Sequence, residues 1–251
     1  MSQHELNTKI EQFIQKKDAL GEDYSEADKA FIQGYEGAGG QGSKGAKGQG
    51  VLYEFFTPAW LCKKMWELAI YHGFSGGAIL EPASGTGRLL ADAPKDAPIT
   101  AFEINPTSAR ITEILFPKAR VYNQYFETAF MQPDRFTSHY RDGLTWLKDY
   151  PFSLVISNPP YGKHVNQYSS YFSRPKMKQM EFFFIYWALM LLEPGGLLVY
   201  LTSSNIIRSG ISYQSEKEQI AEIGDLIDAY RLPPVFKFSQ VPTDILIIRK
   251  K

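Results

Sequence analysis

From Val51 onward, short apolar runs alternate with amphipathic stretches, and this alternation narrows the fold more than any other feature. Apolar runs too short for helices, each followed by a helical pattern, build strand–helix–strand units and therefore a parallel sheet wrapped by helices. The runs at residues 78–80, 99–102, 119–122, 152–157, 197–202, 226–232 and 245–248 read as seven strands, the third of them weak. Thr57 and Pro58 before Trp60, Leu61, Met65 and Trp66 read as an N-cap and first-turn proline opening a helix. Further helices are expected at 108–115, 143–149 and 181–192, the last strongly apolar and closed by Pro194, Gly195 and Gly196. Only residues 233–243 link the last two strands, too few for a helical crossover, so those strands should pair antiparallel. The expectation is an α/β fold: one doubly wound, seven-stranded, mostly parallel sheet with a C-terminal antiparallel hairpin.

Residues 1–33 have a different texture. Leu6, Ile10, Phe13 and Ile14 recur at helical spacing, and Ala27, Ala30, Phe31 and Ile32 form a shorter second stripe. A small N-terminal helical appendage is expected there. Residues 34–50 carry eight glycines with Lys44 and Lys47, and order in such a segment costs much backbone entropy. It reads either as a linker or as a lid whose amides and lysines touch phosphates. The catalytic unit would then span 51–251.

Composition excludes several classes. Lys+Arg and Asp+Glu both number 27, so a nucleic acid would have to be met by a local patch rather than a basic coat. Cys62 is the single cysteine, which leaves no intrachain disulfide and no cysteine-clustered metal site, and no metal is expected. The polar N-terminus is unlike a secretory signal, and no apolar run approaches the roughly 18 residues of a membrane span. A soluble, cytoplasmic chain is expected.

Two motifs carry chemistry. Glu81, Pro82, Ala83, Ser84, Gly85, Thr86 and Gly87 follow the first strand, where glycines let backbone approach a ligand at the carboxyl edge of the sheet. Glu103 ends the second strand, 16 residues past Gly87, and a carboxylate there can accept from both hydroxyls of a ribose. Together they point to a nucleoside. Asn158, Pro159, Pro160 and Tyr161 end the fourth strand. Two prolines make the chain leave the sheet rigid and extended. An asparagine and free carbonyls beside an aromatic ring suit a planar amine, whose two hydrogens they can accept.

These residues resemble the S-adenosylmethionine-dependent amino methyltransferases, and more narrowly the adenine-specific DNA methyltransferases of the gamma order. Phe56, Thr57 and Pro58 come first, then the glycine turn, then the Asn158 tetrapeptide, as in that order. The tail from Tyr230 through Arg231, Leu232, Pro233, Pro234, Val235, Phe236 and Lys237 to Thr243, Asp244 and Ile245 is similar to the family's last catalytic segment. The resemblance covers roughly residues 50–251. It implies a Rossmann-like class I methyltransferase with S-adenosylmethionine as cofactor and the N6 amine of adenine in DNA as substrate, as in restriction-modification systems. Thr57 and the backbone of 81–84 would hold the cofactor's methionine end, with Gly85 and Gly87 shaping the turn. Glu103 would hold the ribose and Pro160 would lie against the cofactor's adenine. Asn158 and the Pro159 carbonyl would bind the target amine. Tyr161 would stack on the flipped base, with Phe236 or Phe238 covering its other face.

The sequence departs from the family in two places. The acidic contact to the cofactor's adenine amine is missing after the third strand, so Gln124 or Glu127 must substitute. The DNA-reading domain usually follows the Thr-Asp-Ile segment, whereas this sequence ends at Lys251. A separate specificity subunit, or weak specificity, is therefore expected. Between Tyr150 and Met180 there is no acidic residue, while Lys163, Arg174, Lys176 and Lys178 are interleaved with Tyr168, Tyr171 and Phe172. That loop reads as the surface along which a DNA strand passes. His164 within it reads as a surface histidine. Rival readings are a methyltransferase for RNA bases or a protein glutamine, and a non-catalytic cofactor-binding subunit.

Overall fold

A computed structural model describes residues 1–37, 39–44, 51–131, 146–204, 206–207, 213–236 and 242–251. The chain opens with α1 (Gln3–Leu20) and α2 (Glu26–Ile32). Each begins with a capping box, Ser2 with Glu5 and Ser25 with Asp28, which satisfies amides that a helix start leaves orphaned. Ile10, Ile14, Ile32 and Tyr35 form their common apolar face, and it is buried against Ile111 and Ile114 of the main body. Arg110 reinforces this contact with an ion pair to Asp18 at 2.7 Å.

The glycine-rich stretch is partly ordered as a strand. β1 (Gly39–Lys44) pairs antiparallel with β2 (Val51–Glu54) in a two-stranded ribbon. Backbone pairing there takes the place of the side-chain contacts that glycine lacks. Lys47 lies outside the described residues.

α3 (Ala59–Tyr71) follows, and its N-cap is Pro58, with no side chain capping it. The Pro58 carbonyl accepts from Leu61 and Cys62. Thr57 does not cap the helix as expected. It is buried at the edge of the cleft described below. The remaining elements run β3 (Ile79–Glu81), β4 (Ile99–Phe102), α4 (Pro106–Leu115), β5 (Arg120–Tyr122), β6 (Phe152–Ser157), α5 (Met180–Leu191), β7 (Leu192–Ser203), α6 (Gln214–Ile223), β8 (Gly224–Leu232) and β9 (Thr243–Lys250). α4 starts where Pro106 takes the first turn and the Asn105 side chain accepts from Thr107 and Ser108.

The seven strands order as β5-β4-β3-β6-β7-β9-β8. β5 to β7 are mutually parallel, and β9 lies antiparallel between β7 and β8. The expected mostly parallel sheet with a C-terminal hairpin is therefore observed. Residues alternate between two cores, as the period of two along a strand requires. Leu80, Val155, Leu198 and Tyr200 face α5, whose rings Phe182, Phe183, Phe184 and Trp187 are buried with them. Ile79, Leu154, Ile156 and Val199 face α3. α5 is apolar nearly all round, as a helix enclosed by neighbours must be.

One expected element is not observed as such, and one observed element was not expected. Residues 143–145 of the helix expected at 143–149 lie outside the described residues, and the described residues 146–149 are loop and turn. α6 carries no strong apolar stripe and was not legible; only Glu216 and Ile220 are buried in it. No described helix is long and apolar enough to cross a membrane. Strand order reverses between β4-β3 and β6-β7, so the carboxyl ends of β3 and β6 border a crevice where open α/β sheets take ligands.

Candidate active site

The crevice is a cleft of about 280 Å³ open to solvent. Phe55, Phe56 and Thr57 line it together with Glu81, Ser84, Gly85, Arg88 and Asn158. The separated motifs of the sequence thus meet in one place.

The turn after β3 is tight for identifiable reasons. Gly85 and Gly87 have φ of +55° and +76°. A Cβ on Gly85 would come within 3.0 Å of the Phe56 ring, and one on Gly87 within 2.8 Å of Phe116. Side chains are excluded there by conformation and by space alike. The helix expected after this turn is a short 3-10 segment, Arg88–Asp92. The Ser84 amide donates to the Phe102 carbonyl at 2.9 Å, which fastens the turn to β4.

Glu103 holds the same turn from the other side. Its Oε2 accepts from the Gly85 amide and its Oε1 from the Asn105 amide, each at 2.7 Å. Glu103 thereby ties the glycine turn to the start of α4. Glu81 is in the opposite situation. It is 2% exposed, and its Oε2 has no hydrogen-bond partner among the described residues. Burial, with the Glu103 charge adding to it, pushes its carboxyl well above the ordinary range. Ser84 Oγ is likewise buried and without a partner. Two orphaned polar atoms beside a glycine cradle are what a polar ligand would satisfy. These residues therefore fit S-adenosylmethionine, whose amino acid end is polar and whose ribose needs a carboxylate.

Asn158 is fixed by two neighbours. Its Nδ2 donates to the Phe55 carbonyl at 2.9 Å, and its Oδ1 accepts from the Tyr161 hydroxyl at 3.1 Å. Pro159 is buried and Pro160 exposed. Burial, with Glu181 nearby, pushes the Tyr161 phenol well above its ordinary value, so the hydroxyl stays a donor. Phe55 was not anticipated, since only its backbone serves the site. Arg88 was missed too: it ion-pairs with Glu36 at 2.7 Å and lies 5.3 Å over the Phe56 ring.

Other expected residues are placed differently. Phe236 is 8% exposed and packs on Phe55 at 5.2 Å between ring centroids, a core ring one residue removed from Asn158. Phe238 lies outside the described residues. Gln124 stands half-buried at the end of β5, its Oε1 accepting from Thr128 at 3.1 Å. Glu127 is 1% exposed and directed away from solvent, towards His164. His164 is not the surface residue expected; it is 8% exposed and stacked on Phe183 at 3.9 Å. Lys163, Arg174, Lys176 and Lys178 are exposed, but Phe172 turns inward onto Phe183 and Trp187. Of the interleaved aromatics only Tyr168 and Tyr171 remain partly accessible. Arg231 and the buried Asp244 pair across β8 and β9, so the tail segment holds the hairpin together. No cluster of metal-ligating side chains occurs among the described residues.

The seven-stranded mixed sheet with its C-terminal antiparallel hairpin is the class I methyltransferase fold. Several solved structures share the fold. The type I restriction-modification methyltransferase subunit of Streptococcus thermophilus matches with a TM-score of 0.62 at 19% identity, covering 79% of this chain and 45% of that one. A Vibrio vulnificus YJ016 protein described as a type I modification subunit matches with 0.62 at 16% identity, covering 100% and 50%. A Listeria monocytogenes protein assigned to the class I S-adenosylmethionine-dependent methyltransferases gives 0.57 at 20% identity, covering 76% and 58%. The chain belongs to the Eco57I restriction-modification methylase family, whose model matches residues 98–232, more than half of its length. Among curated proteins, the Defense against restriction protein B of Escherichia phage P1 is 26% identical over 234 residues. That alignment takes in 92% of this chain but only 9% of the phage protein, so the chain spans less than a tenth of that relative.

Proposed function

We propose that this chain transfers a methyl group from S-adenosylmethionine to the exocyclic N6 amine of adenine in DNA, with target choice supplied or sharpened by another chain. The observation that carries the reading is the placement of Asn158. Asn158, its Oδ1 held by Tyr161, borders the same cleft as Glu81, Ser84 and the Gly85 turn.

Glu81, Ser84 and Thr57 would hold the methionine end, Glu103 the ribose, Pro160 the adenine face and Gln124 its edge. The cofactor, when bound, supplies an activated sulfonium methyl. The protein's task is then mainly position, and orientation alone is worth about 7–11 kcal/mol in well-aligned reactions. An amide oxygen has two lone pairs, so Asn158 Oδ1 can accept an amine hydrogen while still accepting from Tyr161. With the Pro159 carbonyl accepting the second hydrogen, the amine nitrogen turns pyramidal and its lone pair localises towards the methyl carbon. No side-chain base is needed before attack.

Reaching that amine in duplex DNA means flipping the nucleotide, at a cost of a few kcal/mol. Stacking on an aromatic ring returns about 1–3 kcal/mol, which gives Tyr161 its second role. The exposed Lys163, Arg174, Lys176 and Lys178 would follow the phosphates. A partner chain is consistent with the structural neighbours described as modification or methyltransferase subunits.

Asn158→Ala is expected to lower transfer of labelled methyl to mixed DNA by about 10²–10³-fold, as loss of a positioned polar group at a reacting centre does. Cofactor affinity, read by calorimetry, should stay near wild type. Glu103→Ala should instead weaken the cofactor roughly tenfold, since it also releases two backbone amides. Equal cofactor loss in both variants would contradict the division of roles. Label appearing in RNA or in protein glutamine but not in DNA would overturn the substrate.

A further inference from the structure

We infer that Glu127 is a positioning residue for the DNA side of the site, anchoring the loop that follows the Asn158 tetrapeptide rather than reading the cofactor. The inference rests on the DNA reading above and deepens it. Glu127 lies in the 3-10 turn Phe126–Phe130 beyond β5, and its Oε1 engages two side chains of that one loop. His164 Nε2 hydrogen-bonds to it at 2.9 Å and Asn166 Nδ2 donates at 2.5 Å. Burying a carboxylate is costly unless it is paired and hydrogen-bonded, so the position of this loop is dictated rather than incidental.

These two side chains are themselves held. His164 stacks on Phe183, and its amide donates to the Lys178 carbonyl at 3.0 Å. Asn166 Oδ1 accepts from the Tyr168 amide and its carbonyl accepts from Ser169 Oγ, each at 2.9 Å, which fixes the next turn. A second buried carboxylate secures the near end of the loop. Glu181 accepts from the Gly162 amide at 3.1 Å and from Ser203 Oγ at 3.0 Å.

His164 and Asn166 point inward, while Lys163 and Val165 between and before them are exposed, Val165 at 74%. Two carboxylates thus pin the inward residues so that the outward ones are presented next to Tyr161, where a DNA strand would lie. Unlike the orphaned Glu81 Oε2, the buried Glu127 Oε1 is already engaged by two side chains of this loop.

The test compares Glu127→Ala, Glu127→Gln and His164→Phe with wild type. Calorimetry reads S-adenosylmethionine affinity, and steady-state methylation of mixed duplex DNA reads KM and kcat. Glu127→Ala and His164→Phe should raise the KM for DNA by about tenfold, the scale of one lost buried hydrogen bond, with kcat and cofactor affinity within about threefold. Glu127→Gln keeps an acceptor at the same reach and should stay close to wild type. Should Glu127→Ala fail to fold, His164→Phe still decides the matter, because it preserves the ring stack on Phe183. Loss of cofactor affinity with unchanged KM would place Glu127 on the cofactor and overturn the inference. Unchanged values throughout would make the contact passive and overturn it as well. A wild-type chain that binds cofactor yet methylates no DNA would overturn the DNA reading itself, and the inference with it.

Discussion

Glu81 and Glu103 end adjacent strands, yet they live under opposite conditions. Two backbone amides satisfy Glu103, whereas Glu81 is buried with an orphaned oxygen and its carboxyl is pushed well above its ordinary value of 4.5. Besides Glu103, the groups around it are the buried Cys62 thiol on α3, itself pushed up to about 12 mainly by burial, and the buried Tyr200 phenol on β7. Because the native value lies above the unfolded one, the contribution of Glu81 to stability is complete below the unfolded value. It is lost as pH rises towards the native value. Glu81→Gln should therefore melt like wild type near pH 4 and about 2–4 °C higher at pH 8, the shift expected for ~1 kcal/mol in a chain of this size. Thermal melts across that range check it, and parallel curves for the two proteins would sink the assignment. Asn158 and Glu103 were singled out as candidates in the sequence because each follows a strand inside a recognisable motif. His164 was not, since nothing in its neighbours along the chain announces a buried carboxylate 37 residues earlier.

At the scale of elements, the glycine turn is the most constrained piece. Gly87→Ala would force a side chain into the left-handed region and against the Phe116 ring at 2.8 Å. We expect a loss of roughly 2–4 kcal/mol, summing conformational strain and overpacking. Gly195→Ala provides the comparison: φ is +83° there, but nothing lies within 4 Å of the added carbon. It should cost only about 1–2 kcal/mol. Denaturant titration of both variants separates strain from clash, and equal losses would remove Phe116 from the account. The strands β3, β4, β6, β7 and β9 were readable because their apolar runs are buried on both faces of the sheet. α6 was not, since it buries little and its sequence is mostly polar. The start of α3 was misjudged because Thr57 is drawn into the cleft, leaving the Pro58 carbonyl to take the first helical bonds.

For the whole molecule, charge balance matters more than charge. With 27 residues of each sign, the proposed affinity for DNA needs a local basic patch, and the exposed Lys163, Arg174, Lys176 and Lys178 are the candidates. If all four meet phosphates, log K should fall with log salt at a slope of about −3 to −4. Lys176→Ala should flatten that slope by about one, uniformly across DNA sequences. Fluorescence anisotropy over a salt series measures both, and a slope near zero would remove this loop from the interface. The N-terminal helices belong to the same architecture, because they cover Ile111 and Ile114 and bring Glu36 to Arg88 at the cleft wall.

The sequence alone determined the seven strands, the antiparallel ending, the glycine turn, Glu103 and the Asn158 tetrapeptide. Each depends on neighbours along the chain: a local run of apolar residues, a local turn, a strand end. The tertiary structure decided which side chains are sequestered and which are offered. It set Phe236 and Phe172 into the core, closed the Arg88 and Glu36 contact, and joined Glu127 to His164. Burial and pairing between distant segments follow from how the layers pack, and packing is settled by the whole chain at once.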